Sequence, residues 1–245
     1  MKKSTRTFNP ESDNRNWSLL FNKHFQNLQS LQAISTLWIN GFSKLGIDNS
    51  KRPKAEDLTN VIHKYTPYIF VQTDDNVIFE QIDWYSMIAD FKMPMTNFVR
   101  TPEELNYCDE PDYWHDVMGH VPFLAEVEYS KMYQLLARTY IEAFGTGRID
   151  LLKQLDFIGG MIIELGLLRE PSGIKAFGST FYSSGEVFEA FKKENQIPFT
   201  PAALLSGESY DRHSFQGKYY IFDSLEQLVD IIKSIKSQCI SNLNT

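Results

Sequence analysis

Glu110-Pro111-Asp112-Tyr113-Trp114-His115-Asp116-Val117-Met118-Gly119-His120-Val121-Pro122 holds two of the chain's five histidines, acids on either side of the first, and a glycine and proline that decide how the backbone leaves. Glu110-Pro111-Asp112 reads as the start of a helix, and that helix is expected to end near Gly119 because Pro122 cannot continue it. On an unbroken α-helix, His115 and His120 would point roughly 140° apart. A bent helix end that turns His120 back towards His115 would make them a ligand pair. Two neutral imidazoles suit zinc, copper, nickel or iron, and an added carboxylate gives the facial arrangement of iron(II) oxygenases. The spacing alone is a weak signal, since histidines and acids are also common on surfaces.

A carboxylate stands where one is costly. Glu164 lies in Gly159-Gly160-Met161-Ile162-Ile163-Glu164-Leu165-Gly166-Leu167-Leu168, and desolvating it costs several kcal/mol unless it is paired or binds a cation. Glu164 is therefore the expected third ligand; the alternative is a carboxylate looking outward from a buried helix.

Outward from these two stretches, the chain reads as mostly α with a few short β-strands, in one catalytic-sized domain over 16–245 behind a polar N-terminal arm, 1–15. Apolar residues three or four apart over 17–45 predict one long helix or two joined end to end, closed by Gly46. Helices are expected over 55–65, 77–91, 129–144, 149–168, 186–193 and 224–237, and strands at 68–72 and 218–222. The stretch 174–183 reads as irregular or strand-like. Thr101-Pro102-Glu103-Glu104 has the pattern of a capped helix start. With 245 residues, 42 % hydrophobic, the chain can bury an ordinary core. A net charge of −7 argues against nucleic-acid or anionic-membrane partners and for a small molecule. Two cysteines make no disulfide framework, and no run approaches the ~20 apolar residues of a membrane span, so a soluble cytoplasmic protein is expected.

Taken together, Arg100-Thr101-Pro102-Glu103-Glu104-Leu105-Asn106-Tyr107, Glu110-Pro111-Asp112, His115-Asp116 and Gly119-His120-Val121-Pro122 resemble the aromatic amino acid hydroxylases. These are pterin-dependent mononuclear iron monooxygenases that include bacterial phenylalanine hydroxylases. The likeness continues through Glu164-Leu165-Gly166-Leu167, 174–178 and Ser183-Ser184 to 219–228. It implies a bare catalytic domain, a monomer, with iron(II) on His115, His120 and Glu164, in agreement with the ligands chosen by chemistry. It further implies that Arg100 holds the substrate carboxylate, a task suited to a guanidinium fork. Asp112 would orient that arginine, Ser183 would support substrate and His115, and Pro111 and Gly160 would line the wall facing the ring. A tetrahydropterin would stack on Trp84 and be reached through water by Asp116; the alternative for Trp84 is a core aromatic on an amphipathic helix.

The chain departs from the family pattern in two places. Gly159-Gly160 stand where a Tyr-Trp pair is usual and Leu165 where phenylalanine is usual, which predicts a larger pocket. Gln72-Thr73-Asp74-Asp75-Asn76-Val77-Ile78 lacks the glycine of the usual pterin loop. The leading expectation is a monooxygenase that hydroxylates the ring of phenylalanine, tryptophan or a related amino acid with O2 and a reduced pterin. Two alternatives are an iron oxygenase of the same fold with a different or bulkier substrate, with or without a pterin, and a non-catalytic binding protein that keeps the fold.

Overall fold

The computed structural model describes residues 9–73, 79–206, 208, 211 and 214–241. Residues 17–45 form parts of two helices, α1 (Pro10–Ser30) and α2 (Thr36–Leu45). Asn9 caps α1 by accepting from the Glu11 and Ser12 amides, Ser35 caps α2 by accepting from Trp38 N, and Gly46 closes α2 at φ 65°. Of the expected polar arm, residues 1–8 lie outside the described residues and 10–15 are the first turns of α1. They are held there because Asp13 is buried against Arg52 at 3.4 Å, and next to them Asn16 Nδ2 donates to Arg100 O at 3.0 Å.

After α3 (Ala55–Ile62), β1 (Ile69–Gln72) runs through a connection containing α4 (Gln81–Ala89) to β2 (Lys92–Met95), its parallel partner. Sequence reasoning passed over β2 because Pro94 lacks a ladder donor; in this two-stranded sheet every strand is an edge, where proline is tolerated. Residues 74–78, which include most of the expected pterin loop, lie outside the described residues. The Thr101 capping box forms, but the turn it starts, Pro102–Glu104, is a single 3-10 turn.

The ligand-bearing segment comprises α5 (Tyr113–His115), a π-helical stretch Asp116–His120 and α6 (Val121–Leu124). It is followed by α7 (Val127–Gly145), α8 (Ile149–Phe157) and a second π-helical stretch, Ile158–Glu164. The helix expected to reach 168 stops at Leu165, and β3 (Leu167–Glu170) takes over. An apolar run of that kind does not by itself distinguish buried helix from buried strand. β3 turns back antiparallel into β4 (Gly173–Ala176), with Gly173 at φ 116°. The 3-10 turn Ser179–Tyr182 and α9 (Val187–Ala190) precede β5 (Gln196–Pro198) and α10 (Pro201–Leu204), and β6 (Tyr219–Phe222) and α11 (Leu225–Ser241) complete the described chain. The sheet order is β4-β3-β6-β5, with β6 parallel to both its neighbours.

One continuous buried cluster joins these elements. Trp38, one of its buried members, stacks on Phe42 and Tyr182 at 4.6 and 4.7 Å. None of the described helices is long and apolar enough to cross a membrane.

Candidate metal centre and cavity

Asp112 starts the ligand segment by accepting from His115 N at 3.1 Å. The helix does not end at Gly119 as expected; it widens into π geometry and continues through Pro122 in the first turn of α6. Hydrogen bonding in the i→i+5 pattern fits one more residue into the turn. His115 and His120 therefore face the same way without a bent end, their Nε2 atoms 3.2 Å apart. Pro122 cannot donate to the Met118 carbonyl one turn back, and Trp38 Nε1 does so instead at 2.8 Å. Gly119 lets the Ser179–Tyr182 turn approach, since a Cβ there would stand 2.8 Å from Ser179 O.

Glu164 closes the second π stretch and faces both imidazoles, with 3.5 Å from Oε2 to His115 Nε2 and 3.5 Å from Oε1 to His120 Nε2. The three ligand atoms lie within 4.8 Å of one another. Ligands at about 2.1 Å on perpendicular bonds stand roughly 3 Å apart, so the cluster fits one ion. Ser179 Oγ and, at 3.3 Å, Thr180 Oγ1 donate to Glu164 Oε2. Ser183 Oγ donates to Thr180 O at 3.2 Å and lies 2.8 Å from His115 Nδ1. Its hydrogen being used on that carbonyl, Ser183 accepts from Nδ1–H and leaves the Nε2 lone pair facing the cluster.

Protonation states agree with this geometry. Burial pushes His115 down to about 3 against the opposing charge of Glu164, and burial lowers His120 in the same way. Burial would raise Glu164, but His120, His115 and the two hydroxyls outweigh it and the carboxyl stays below its ordinary value. Neutral imidazoles beside an ionised carboxylate are the state that metal binding needs.

The cluster opens into a cavity of about 290 Å³. Arg100 lines it: Nη2 donates to Asp112 Oδ1 at 2.5 Å, Nη1 to Ser183 O at 2.7 Å, and buried Nε has no partner among the described residues. Burial would depress the guanidinium, yet Asp112 holds it above its usual range. Asp112 is fully buried under Arg100, whereas Pro111, Gly160 and Ser183 line the cavity. Trp84 lines it too, half-buried, its Nε1 donating to Tyr133 Oη at 3.1 Å and its ring 6.5 Å from that of His120. Asp116 accepts from Thr96 N and Oγ1 at 2.7 and 2.8 Å, while burial raises it to about 7 against those bonds.

The enlargement expected at 159–160 is taken up at Gly159, where a Cβ would overlap the Tyr85 hydroxyl. Leu165 is fully buried in the core and takes no part in the lining. Sequence reasoning missed Tyr85, Asp156 and Glu186, all of which line the cavity. Glu186 accepts from Gln216 N and Tyr219 Oη at 2.8 and 2.9 Å, and burial raises it to about 7. Tyr85 was shadowed by its neighbour Trp84; the signal that could have found it is the missing side chain at Gly159.

Fold and site thus define a helical catalytic domain with two histidines and a glutamate placed for one metal ion. The chain belongs to the biopterin-dependent aromatic amino acid hydroxylases, whose family model matches residues 8–243. It is 29 % identical over 200 residues to phenylalanine-4-hydroxylase of Ralstonia nicotianae, covering 79 % of this chain and 61 % of that protein. It is 22 % identical to the Pseudomonas aeruginosa phenylalanine-4-hydroxylase, over 91 % of this chain and 82 % of that one. A phenylalanine 3-hydroxylase of Streptomyces coeruleorubidus is 28 % identical over 59 % of this chain and 50 % of its own length. Among solved structures, cobalt-bound phenylalanine hydroxylase of Chromobacterium violaceum superposes with a TM-score of 0.81 at 21 % identity, covering 98 % of this chain and 90 % of that one.

Proposed function

We infer that this chain holds iron(II) on His115, His120 and Glu164 and hydroxylates the ring of an aromatic amino acid, using O2 and a reduced pterin. The observation that carries the reading is Arg100, a buried guanidinium lining the cavity, whose Nε–H has no partner among the described residues. A cation held rigidly by Asp112 and Ser183 O, with donors to spare, suits a bidentate carboxylate. The names of the relatives, phenylalanine-4-hydroxylase and phenylalanine 3-hydroxylase, support the substrate class.

In this reading Arg100 fixes the amino acid by its carboxylate, and Pro111 and Gly160 line the space for its ring. Ser183 keeps His115 in the tautomer that presents Nε2, and the Ser179 and Thr180 hydroxyls fix the Glu164 carboxylate. Trp84 offers its face to the pterin ring, and Asp116, anchored by Thr96, takes part in pterin binding through water. Bound iron and pterin would supply oxygen activation, while the protein's own residues hold and orient the substrate in the cavity. We place the protein in the cytoplasm, in keeping with two cysteines that form no disulfide, and as a monomer.

The test is product analysis by mass spectrometry after supplying iron(II), tetrahydropterin and a panel of aromatic amino acids. A gain of one oxygen on the ring is the expected result. No product from protein carrying stoichiometric iron would refute the reading, as would full iron occupancy in His115→Ala.

A further inference from the structure

The wall at Gly159 is completed by a side chain from α4. Tyr85, on α4 and 5 % exposed, packs at 4.4 Å on Tyr140. It brings its hydroxyl to the place that a Gly159 side chain would fill. That hydroxyl makes no hydrogen bond among the described residues, although Tyr85 lines the cavity. Asp156 lines the same region and lies close enough to Tyr85 for its charge to bear on the phenol. Gln81 and Tyr140 reach the Asp156 carboxylate, yet its buried Oδ1 has no partner among the described residues. In the π-helical pattern a residue five positions before Glu164 returns to nearly the same helix face, so this polar wall adjoins the ligand carboxylate.

We propose that Tyr85 and Asp156 form a hydrogen-bonding subsite of the cavity, admitted by Gly159, that binds a ring bearing N–H or O–H donors. This rests on the function inferred above and adds to it a specificity element supplied by α4. An unsubstituted phenyl ring would leave a phenol and one carboxylate oxygen unsatisfied, a mismatch that polar sites discriminate strongly. Two molecules of the inferred reaction carry the required chemistry. One is an amino acid with a ring hydroxyl or an indole N–H; the other is the amino-bearing edge of the reduced pterin.

Binding without turnover distinguishes the sources. Anaerobic iron(II)-loaded protein is titrated calorimetrically with phenylalanine, tyrosine, tryptophan and tetrahydropterin, in wild type, Tyr85→Phe and Asp156→Ala. If the subsite serves substrate, wild type prefers tyrosine or tryptophan to phenylalanine by about tenfold, and both variants lose that preference while tetrahydropterin affinity holds. If it serves the pterin, both variants lose about tenfold in tetrahydropterin affinity and the amino acid ranking stays fixed. Changes below twofold for every ligand overturn the proposal while leaving the broader function standing. Absence of any amino acid or pterin binding to iron-loaded wild type overturns both. A thermal-melt cycle tests the geometry independently. Gly159→Ala should lower Tm through overlap with the hydroxyl, and Tyr85→Phe should rescue it, because the next ring atom, Cζ, is an ordinary 3.8 Å away. Equal melting of Gly159→Ala with and without Tyr85→Phe overturns the claim that glycine admits the phenol.

Discussion

Replacing Asp112 with alanine should be among the most damaging single changes in this chain, and its cost follows from the contacts. The residue is fully buried, and its partner Arg100 is 3 % exposed. Its carboxylate accepts from Arg100 Nη2, Arg100 N and His115 N at 2.5, 2.8 and 3.1 Å. Breaking a buried ion pair costs about 3–5 kcal/mol because a charge is stranded, and losing a helix cap adds roughly 1 kcal/mol. For a chain of this size each kcal/mol lowers Tm by about 2–4 °C, so a fall of roughly 10–20 °C is expected by calorimetry. Substituting both partners, Arg100→Met with Asp112→Leu, removes the stranded charge and should recover most of that loss. The same double variant should bind no amino acid, because the anchor proposed for the substrate carboxylate has gone. An Asp112→Ala melt within about 3 °C of wild type would show that the pair does not carry the energy assigned to it. A double variant as unstable as the single one would refute the stranded-charge account.

Other perturbations separate the remaining contributions. Ser183→Ala frees His115 Nδ1 from its 2.8 Å partner and should weaken iron(II) binding about 10–100-fold in a competition titration; unchanged affinity would show that the tautomer is set elsewhere. Glu186, raised from 4.5 to about 7, binds its proton more tightly folded than unfolded, so stability falls as pH rises from about 4.5 to 7. The loss is about 3 kcal/mol, and Glu186→Gln should remove that part of the slope in urea unfolding at pH 5 and 8; an identical slope in the variant would contradict the assignment. Gly119→Ala brings a methyl to 2.8 Å from Ser179 O and should cost about 1–3 kcal/mol by overpacking; a variant as stable as wild type would show that the Ser179 turn yields freely.

What the sequence could and could not reveal follows from the rules used to read it. His115, His120 and Glu164 were legible because their chemistry is expensive to leave unexplained, whether as clustered imidazoles or as a carboxylate in an apolar run. The geometry joining them was not legible, since the 3.6-residue periodicity used to find helices has no place for two π-helical stretches. Pro122 reads as a stop because proline lacks the amide that continues an α-helix. The covering elements were predicted within a few residues where amphipathic patterning was long, as in α7 and α11. They were lost where the segment was short or wholly apolar, as in β2, β3 and β5. Tyr85 and Asp156 were invisible because each looks like an ordinary helix residue until α4 and α8 face one cavity.

Asn16 gives the start of the chain a significance that its composition conceals. The first sixteen residues look like a hydrophilic tail that could be trimmed to tidy a protein for expression. Yet Asn16 holds the main-chain oxygen of Arg100 across a gap of 84 residues, and nearby Asp13 is tied to Arg52. Truncation at Trp17 would spare the aromatic interior and untether the backbone beneath the guanidinium. Such a shortened enzyme would keep the proposed metal ligands while the grip on substrate proposed for Arg100 slackened, a defect easily mistaken for low intrinsic affinity.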